Sequence, residues 1–73
     1  MQHSSREITI VVNGSERRVP EGQTLAELIR ELAPDPERLA VELDRRIVKR
    51  AEWPATVLTE GARLEIVQFV GGG

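Results

Sequence analysis

The residues with the most distinctive chemistry are the last three, Gly71-Gly72-Gly73, which follow directly on an apolar run. Three consecutive glycines have neither a helical nor a ladder future. Glycine loses more freedom on ordering than any other residue, so this stretch is expected to be a flexible tail. The bland alternative is a frayed terminus or a linker remnant. The one useful group such an arm offers is the α-carboxylate of Gly73. With an α-carboxyl pKa of about 3.5 it is an anion at neutral pH and a poor electrophile. An enzyme that joined it to AMP would turn it into a mixed anhydride, open to a sulfur or nitrogen nucleophile. Gly71 and Gly72 suit that task because a backbone without Cβ can thread a narrow channel. A bulkier side chain at either of the last two positions is expected to jam it.

Little else in the chain competes. There is no cysteine, which excludes disulfides, thiolate metal sites and cysteine nucleophiles. The single histidine, His3, excludes a multi-histidine zinc site and sits in a polar terminus. Ser4, Ser5 and Ser15 have no His–Asp partner set. Glu42 and Asp44 share one strand face, but carboxylates in a small open domain are more often solvated than catalytic. Gly14, Gly22 and Gly61 lack phosphate-loop spacing. Trp53 reads as a partly buried anchor. No catalytic residue and no metal site are therefore expected.

Charge and hydropathy narrow the partners. Ten basic residues against twelve acidic ones leave a net charge of −2. Basic residues gather only in pairs, Arg17-Arg18, Arg45-Arg46 and Lys49-Arg50. With aromatics nearly absent, this is not a nucleic-acid footprint. No apolar run approaches the ~18 residues of a membrane span. Residues Met1 to Arg6 are polar and lack the apolar region of a signal peptide, and they are expected to be disordered. The lack of cysteine is compatible with a reducing cytoplasm, the expected location.

The elements that must position the tail follow from periodicity. Ile8, Ile10 and Val12 alternate onto one face of a strand over Glu7–Val12. Asn13-Gly14 suits a tight hairpin turn, and Glu16–Val19 returns antiparallel. Pro20 is expected to end that strand. Thr24 and Glu27 have capping-box spacing before a helix over Thr24–Leu32. Leu25, Leu28, Ile29 and Leu32 form its apolar stripe. Pro34 and Pro36 stop it. So short a helix is marginal alone and must pack on a sheet. Leu39–Leu43 and Arg46–Val48 read as strands about a possible turn at Asp44-Arg45. Lys49–Pro54 reads as irregular, and Thr56–Leu58 is too short to assign. Glu60-Gly61 is a turn before a last strand, Ala62–Val70.

The order β-β-α-β-β-β indicates an α+β fold, with one main helix on one face of a mixed sheet of four to five strands. The last strand could lie at an edge or run parallel beside the first. The second puts the most apolar strands, first and last, in the sheet centre under the helix stripe, and this ubiquitin-like β-grasp is the expected fold. The expected core is Ile8, Ile10, Val12, Val19, Leu25, Leu28, Ile29, Leu32, Leu39, Val41, Leu43, Leu64 and Ile66. A chain of this length is one small domain, residues 1–70, ahead of the 71–73 tail. No second helix covers the outer sheet face. Val67 and Phe69, with Val11, are expected there as a docking patch, and Val70 at the root of the tail joins that partner surface. The alternative is that Pro54–Leu58 folds over it.

Several segments, in order, resemble the ThiS family of thiamin-biosynthesis sulfur carriers. Ile10-Val11-Val12-Asn13-Gly14 resembles its opening hairpin, and Glu21-Gly22-Gln23-Thr24-Leu25-Ala26-Glu27-Leu28 its helix entry. Val41-Glu42-Leu43-Asp44, Ile47-Val48-Lys49-Arg50 and Trp53 resemble its middle signature. Glu60-Gly61, Leu64-Glu65-Ile66-Val67 and the terminal glycines resemble its last strand and tail. The sequence departs from the family pattern at Asp44, usually Asn, and Lys49, usually Pro. The resemblance implies that an ATP-dependent, E1-like (ThiF-like) enzyme adenylates Gly73. A persulfide donor then supplies the sulfur of a thiocarboxylate, and a ThiG-like thiazole synthase accepts it. The chain would be a cosubstrate, with no cofactor bound stably and ATP used by the partner.

Rival readings share the fold. A carrier for molybdopterin synthesis or tRNA thiolation would use the same tail chemistry with another acceptor. A ubiquitin-like modifier would join Gly73 to lysines. A passive interaction domain would leave the tail inert.

Overall fold

The computed structural model describes residues 6–33 and 36–69. Five strands and one α-helix form the domain: β1 (Glu7–Val12), β2 (Ser15–Pro20), α1 (Leu25–Leu32), β3 (Leu39–Leu43), β4 (Arg46–Ile47) and β5 (Arg63–Gln68). Short 3-10 helices cover Pro36–Arg38 and Arg50–Ala55. The sheet order is β2-β1-β5-β3-β4. The last strand runs parallel to β1, and the other three pairings are antiparallel. This is the ubiquitin-like β-grasp.

Local chemistry accounts for most boundaries. Asn13 and Gly14 both take positive φ, at 50° and 84°, as the two-residue hairpin turn requires. Strand β2 is one residue longer at each end than expected and retains Pro20, opposite Glu7. It is an edge strand, so the missing proline N–H removes no interior ladder bond. The capping box is complete: Thr24 Oγ1 accepts from the Glu27 N–H, and Glu27 Oε1 accepts from the Thr24 N–H. At the other end Ala33, the residue before Pro34, is extended with φ −142° and ψ 126°. The ring of a following proline disfavours helical geometry in just this residue.

The core lies between α1 and the inner face of the sheet. Ile8, Ile10, Val19, Leu25, Leu28, Ile29, Val41 and Leu64 are buried, joined by Trp53, Leu58 and Ala62. Val12, Leu39, Leu43 and Ile66 pack partly buried against them. Leu32 departs from expectation and is exposed. It stands in the last helical turn, and α1 packs also against the Arg50–Ala55 helix, whose Trp53 fills space beside the stripe.

Three segments take more order, or less, than their residues suggest. Strand β4 stops at Ile47 rather than Val48. The Val48 carbonyl accepts from the Trp53 indole N–H at 2.9 Å, as the chain leaves the sheet for the 3-10 helix that replaces the expected irregular stretch. Thr56–Leu58 runs beside the entry to α1. Leu25 N–H donates to the Thr56 carbonyl at 2.8 Å, and Leu58 N–H to Gln23 at 2.9 Å. Strand β5 spans Arg63–Gln68, shorter than the expected Ala62–Val70, and Val70 lies outside the described residues.

Candidate docking face and carboxyl-terminal strand

β5 is the last strand of the described residues, and it is held on both sides. On one side β3 pairs with all of it but Arg63, from Leu43 opposite Leu64 to Leu39 opposite Gln68. The Phe69 N–H extends that ladder to the Arg38 carbonyl at 2.7 Å. On the other side β1 reaches only the start of β5, at Val11 opposite Arg63 and Val12 opposite Leu64.

Two hairpin turns complete the grip. Asn13 N–H donates to the Leu64 carbonyl at 2.8 Å. Its side chain then imitates one more strand residue: Oδ1 accepts from the Ile66 N–H at 2.7 Å, and Nδ2 donates to the Ile66 carbonyl at 3.2 Å. Asp44, in the β3–β4 turn, does the equivalent at the base of the strand. Its N–H donates to the Arg63 carbonyl at 2.8 Å, and its Oδ1 accepts from the Arg63 N–H at 3.0 Å. Both residues hold φ at 50°. Asp44 is thus occupied by backbone and does not pair with Glu42. Sequence reasoning read both dipeptides as turns and missed their reach to β5. Their only signal was a short polar side chain at the first turn position.

The outer face carries Thr9 and Val11 from β1, Ala40 and Glu42 from β3, Ile47 from β4, and Arg63, Glu65 and Val67 from β5, with Phe69 continuing the alternation. Val67 is 55% exposed, Phe69 54% and Ile47 74%, whereas Val11 is half-buried. No described segment covers this face: of Pro54–Leu58, the proposed cover, Thr56, Val57 and Leu58 pair instead with Gln23–Leu25 at the entry to α1. A shallow groove of about 320 Å³ runs between Ala40, Glu42, Ile47, Glu65 and Val67. Ile47 was not singled out in sequence, because β4 is too short to show alternation.

The remaining candidates stay apart from this face or outside view. Val70, Gly71, Gly72 and Gly73 lie outside the described residues, as do His3, Ser4 and Ser5. Ser15 opens β2 with no histidine beside it among the described residues. Trp53 is buried and serves as an anchor. Among the described residues no group of acidic or histidine side chains is arranged to hold a metal ion, and no helix is long and apolar enough to cross a membrane.

A β-grasp sheet whose last strand is clamped on both sides, with one face left bare by the described residues, belongs to the ubiquitin-like class. Within it, the ThiS family model matches residues 4–73, and the chain belongs to the ThiS family. The chain is similar to the crystal structure of the thiamine biosynthesis protein ThiS from Geobacter metallireducens, with a TM-score of 0.79 and 30% identity, over 90% of this chain and all of that one. A solution structure of a thiamine biosynthesis protein from the same organism gives a TM-score of 0.74 at 30% identity, over 90% of this chain and 88% of that one. Two curated relatives are named thiazole synthase. That of Paramagnetospirillum magneticum is 38% identical over 64 residues, and that of Magnetococcus marinus 39% identical over 64. Each alignment covers 88% of this chain, which spans only 20% of the length of either relative.

Proposed function

We propose that the protein is a sulfur carrier for thiazole formation in thiamin biosynthesis, with the sulfur borne on the carboxylate of Gly73. The observation that carries this reading is the family match, which runs through all three terminal glycines to residue 73. A ubiquitin-like body with β5 held on both sides is a rigid base from which the tail can be presented. The relatives named thiazole synthase support that enzyme as the sulfur acceptor, since they contain a segment like this chain within a longer one.

The chemistry runs as follows. An E1-like enzyme joins the Gly73 carboxylate to the α-phosphate of ATP and releases pyrophosphate. The terminal sulfur of a persulfide attacks the acyl carbon, and AMP leaves. A thiol then attacks the other sulfur of the resulting acyl disulfide. The S–S bond breaks, a new disulfide departs, and the thiocarboxylate remains. The carrier is a cosubstrate in these steps rather than a catalyst. It keeps no cofactor, and ATP is consumed on the activating enzyme. We place the cycle in the cytoplasm, where the persulfide and thiol chemistry is sustained.

The test is the intact mass of the protein after incubation with a ThiF-like enzyme, ATP, a persulfide source and a thiol. The expected result is a gain equal to the difference between sulfur and oxygen, located at Gly73. A second arm supplies the product to a ThiG-like synthase. An unchanged mass in the presence of active partner enzymes would sink the reading. Lysine adducts through Gly73 would favour a protein modifier, and sulfur transfer to a different acceptor would favour the molybdopterin or tRNA carriers.

A further inference from the structure

We propose that two copies of this chain pair antiparallel through their β2 edges, centred on Arg17, with Glu16 of each copy opposite Arg18 of the other. The inference does not depend on the carrier reading and goes beyond it, to a self-association surface.

The direction in which each backbone group of β2 points follows from the bonds of its neighbour. In β1 the Val11 N–H donates to the Ala62 carbonyl, and the Thr9 carbonyl accepts from the Gly61 N–H, each at 2.8 Å. Thr9 and Val11 thus turn their polar groups toward β5 and the turn that leads into it. Ile8, Ile10 and Val12 turn theirs toward β2, because the direction alternates along a strand. Their partners there are Val19, Arg17 and Ser15. Glu16, Arg18 and Pro20 are left aimed away from the sheet, at an edge that no described strand covers. Pro20 has no N–H to give, and its carbonyl accepts from the Gln23 N–H at 3.1 Å. What remains is the N–H and C=O of Glu16 and of Arg18, four groups that bond to no other element among the described residues.

Such an edge is complementary to itself. A two-fold axis through Arg17, normal to the sheet, sets Glu16 opposite Arg18 of the second copy, and Arg18 opposite its Glu16. All four groups then bond, as two hydrogen-bonded pairs on either side of Arg17. Opposed residues share a face, so each bonded pair also brings a carboxylate beside a guanidinium, and both side chains are exposed. Moving the axis to Glu16 or to Arg18 would instead set like charges opposite each other, which is destabilising. Charges on an edge ordinarily deter pairing; here their alternation deters those two registers and favours the one between them. At the centre Arg17 meets Arg17 of the second copy on the helix side. Each is already paired with its own Glu31 at 3.4 Å, so the charge there is balanced. The paired copies form one continuous sheet in which β5 and the bare outer face of each stay free.

The test is sedimentation of the full chain from micromolar to millimolar concentration, for the wild type, for Glu16→Arg, for Arg18→Glu, and for an equimolar mixture of the two variants. The wild type should associate to a dimer, and its amide exchange at Glu16 and Arg18 should slow as concentration rises. Each variant alone sets like charges opposite each other, so its dissociation constant should rise at least about tenfold. The mixture should recover association, because each variant then supplies the charge that the other lacks. That recovery also separates lost pairing from lost folding. A wild type that stays monomeric at millimolar concentration would overturn the proposal. So would variants that associate as the wild type does, a mixture no tighter than its components, or exchange at Glu16 and Arg18 that ignores concentration.

Discussion

The two faces of β5 have opposite tasks within six residues. Leu64 is buried and Ile66 packs on the core, while Glu65 and Val67 between and beyond them stand on the open side. The inner face is committed to folding, because each apolar side chain there leaves water for contacts with α1. The outer face contributes little to that energy and is free to be shaped by a partner. The difference teaches where changes should cost stability and where they should cost only recognition.

The largest effect is expected on the inner face. Ile10 is fully buried, and Ile10→Ala should cost about 3 kcal/mol, from lost transfer energy plus the cavity left behind. In so small a domain this should bring denaturant unfolding close to its midpoint under mild conditions. A loss below about 1 kcal/mol would break the comparison, since it would mean that the inner face is not the stabilising one.

Next comes the clamp that joins the faces. Asn13→Gly preserves a residue at ease with positive φ but removes both side-chain bonds to Ile66. The expected loss is about 1.5 kcal/mol. Amide exchange at Ile66 should accelerate more than at Val41, which would sharpen the assignment to the β5 edge. Arg45→Gly should act in the opposite direction. Arg45 holds φ at 71° in a conformation unfavourable to a residue with Cβ, so relief should add about 1 kcal/mol to stability. An unchanged melting midpoint would count against strain at that turn.

The smallest stability effect is expected outside. Val67→Ser, more than half exposed, should alter unfolding free energy by no more than about 0.5 kcal/mol. Its binding to an activating enzyme or synthase should weaken nonetheless, as titration of each would show. A large loss of stability at Val67 would mean that the outer face is covered after all.

Most of the fold is legible in the residues because its signals are local. The period of two in β1 and β3, the Thr24–Glu27 capping box and the Asn13-Gly14 turn each act within a few positions. Leu32 and Leu58 were less legible. Whether a side chain at the end of a stripe, or in a short extended segment, is buried depends on what a distant loop brings beside it. The site divides in the same way. Val67 and Phe69 were placed outward by alternation alone, and the exposure of both agrees. The facing of Glu42 and Glu65 was not visible, since it depends on the register between strands more than twenty positions apart in the chain.

By itself the sequence determined the chemistry that this protein lacks and the elements that it builds. With no cysteine and one histidine, no thiol or multi-histidine site is available, and the periodicities define strands and helix through short-range sterics and hydrogen bonding. Only the tertiary structure confirmed that β5 enters beside β1, as the apolar character of both strands suggested, and it alone decided that Asn13 and Asp44 grip β5 from two separate turns. It also set Glu42 and Glu65 opposite each other on the bare face, with no ion-pair partner for either among the described residues. Those outcomes are set by pairing register, which depends on the free energy of the whole packed sheet and not on any one segment.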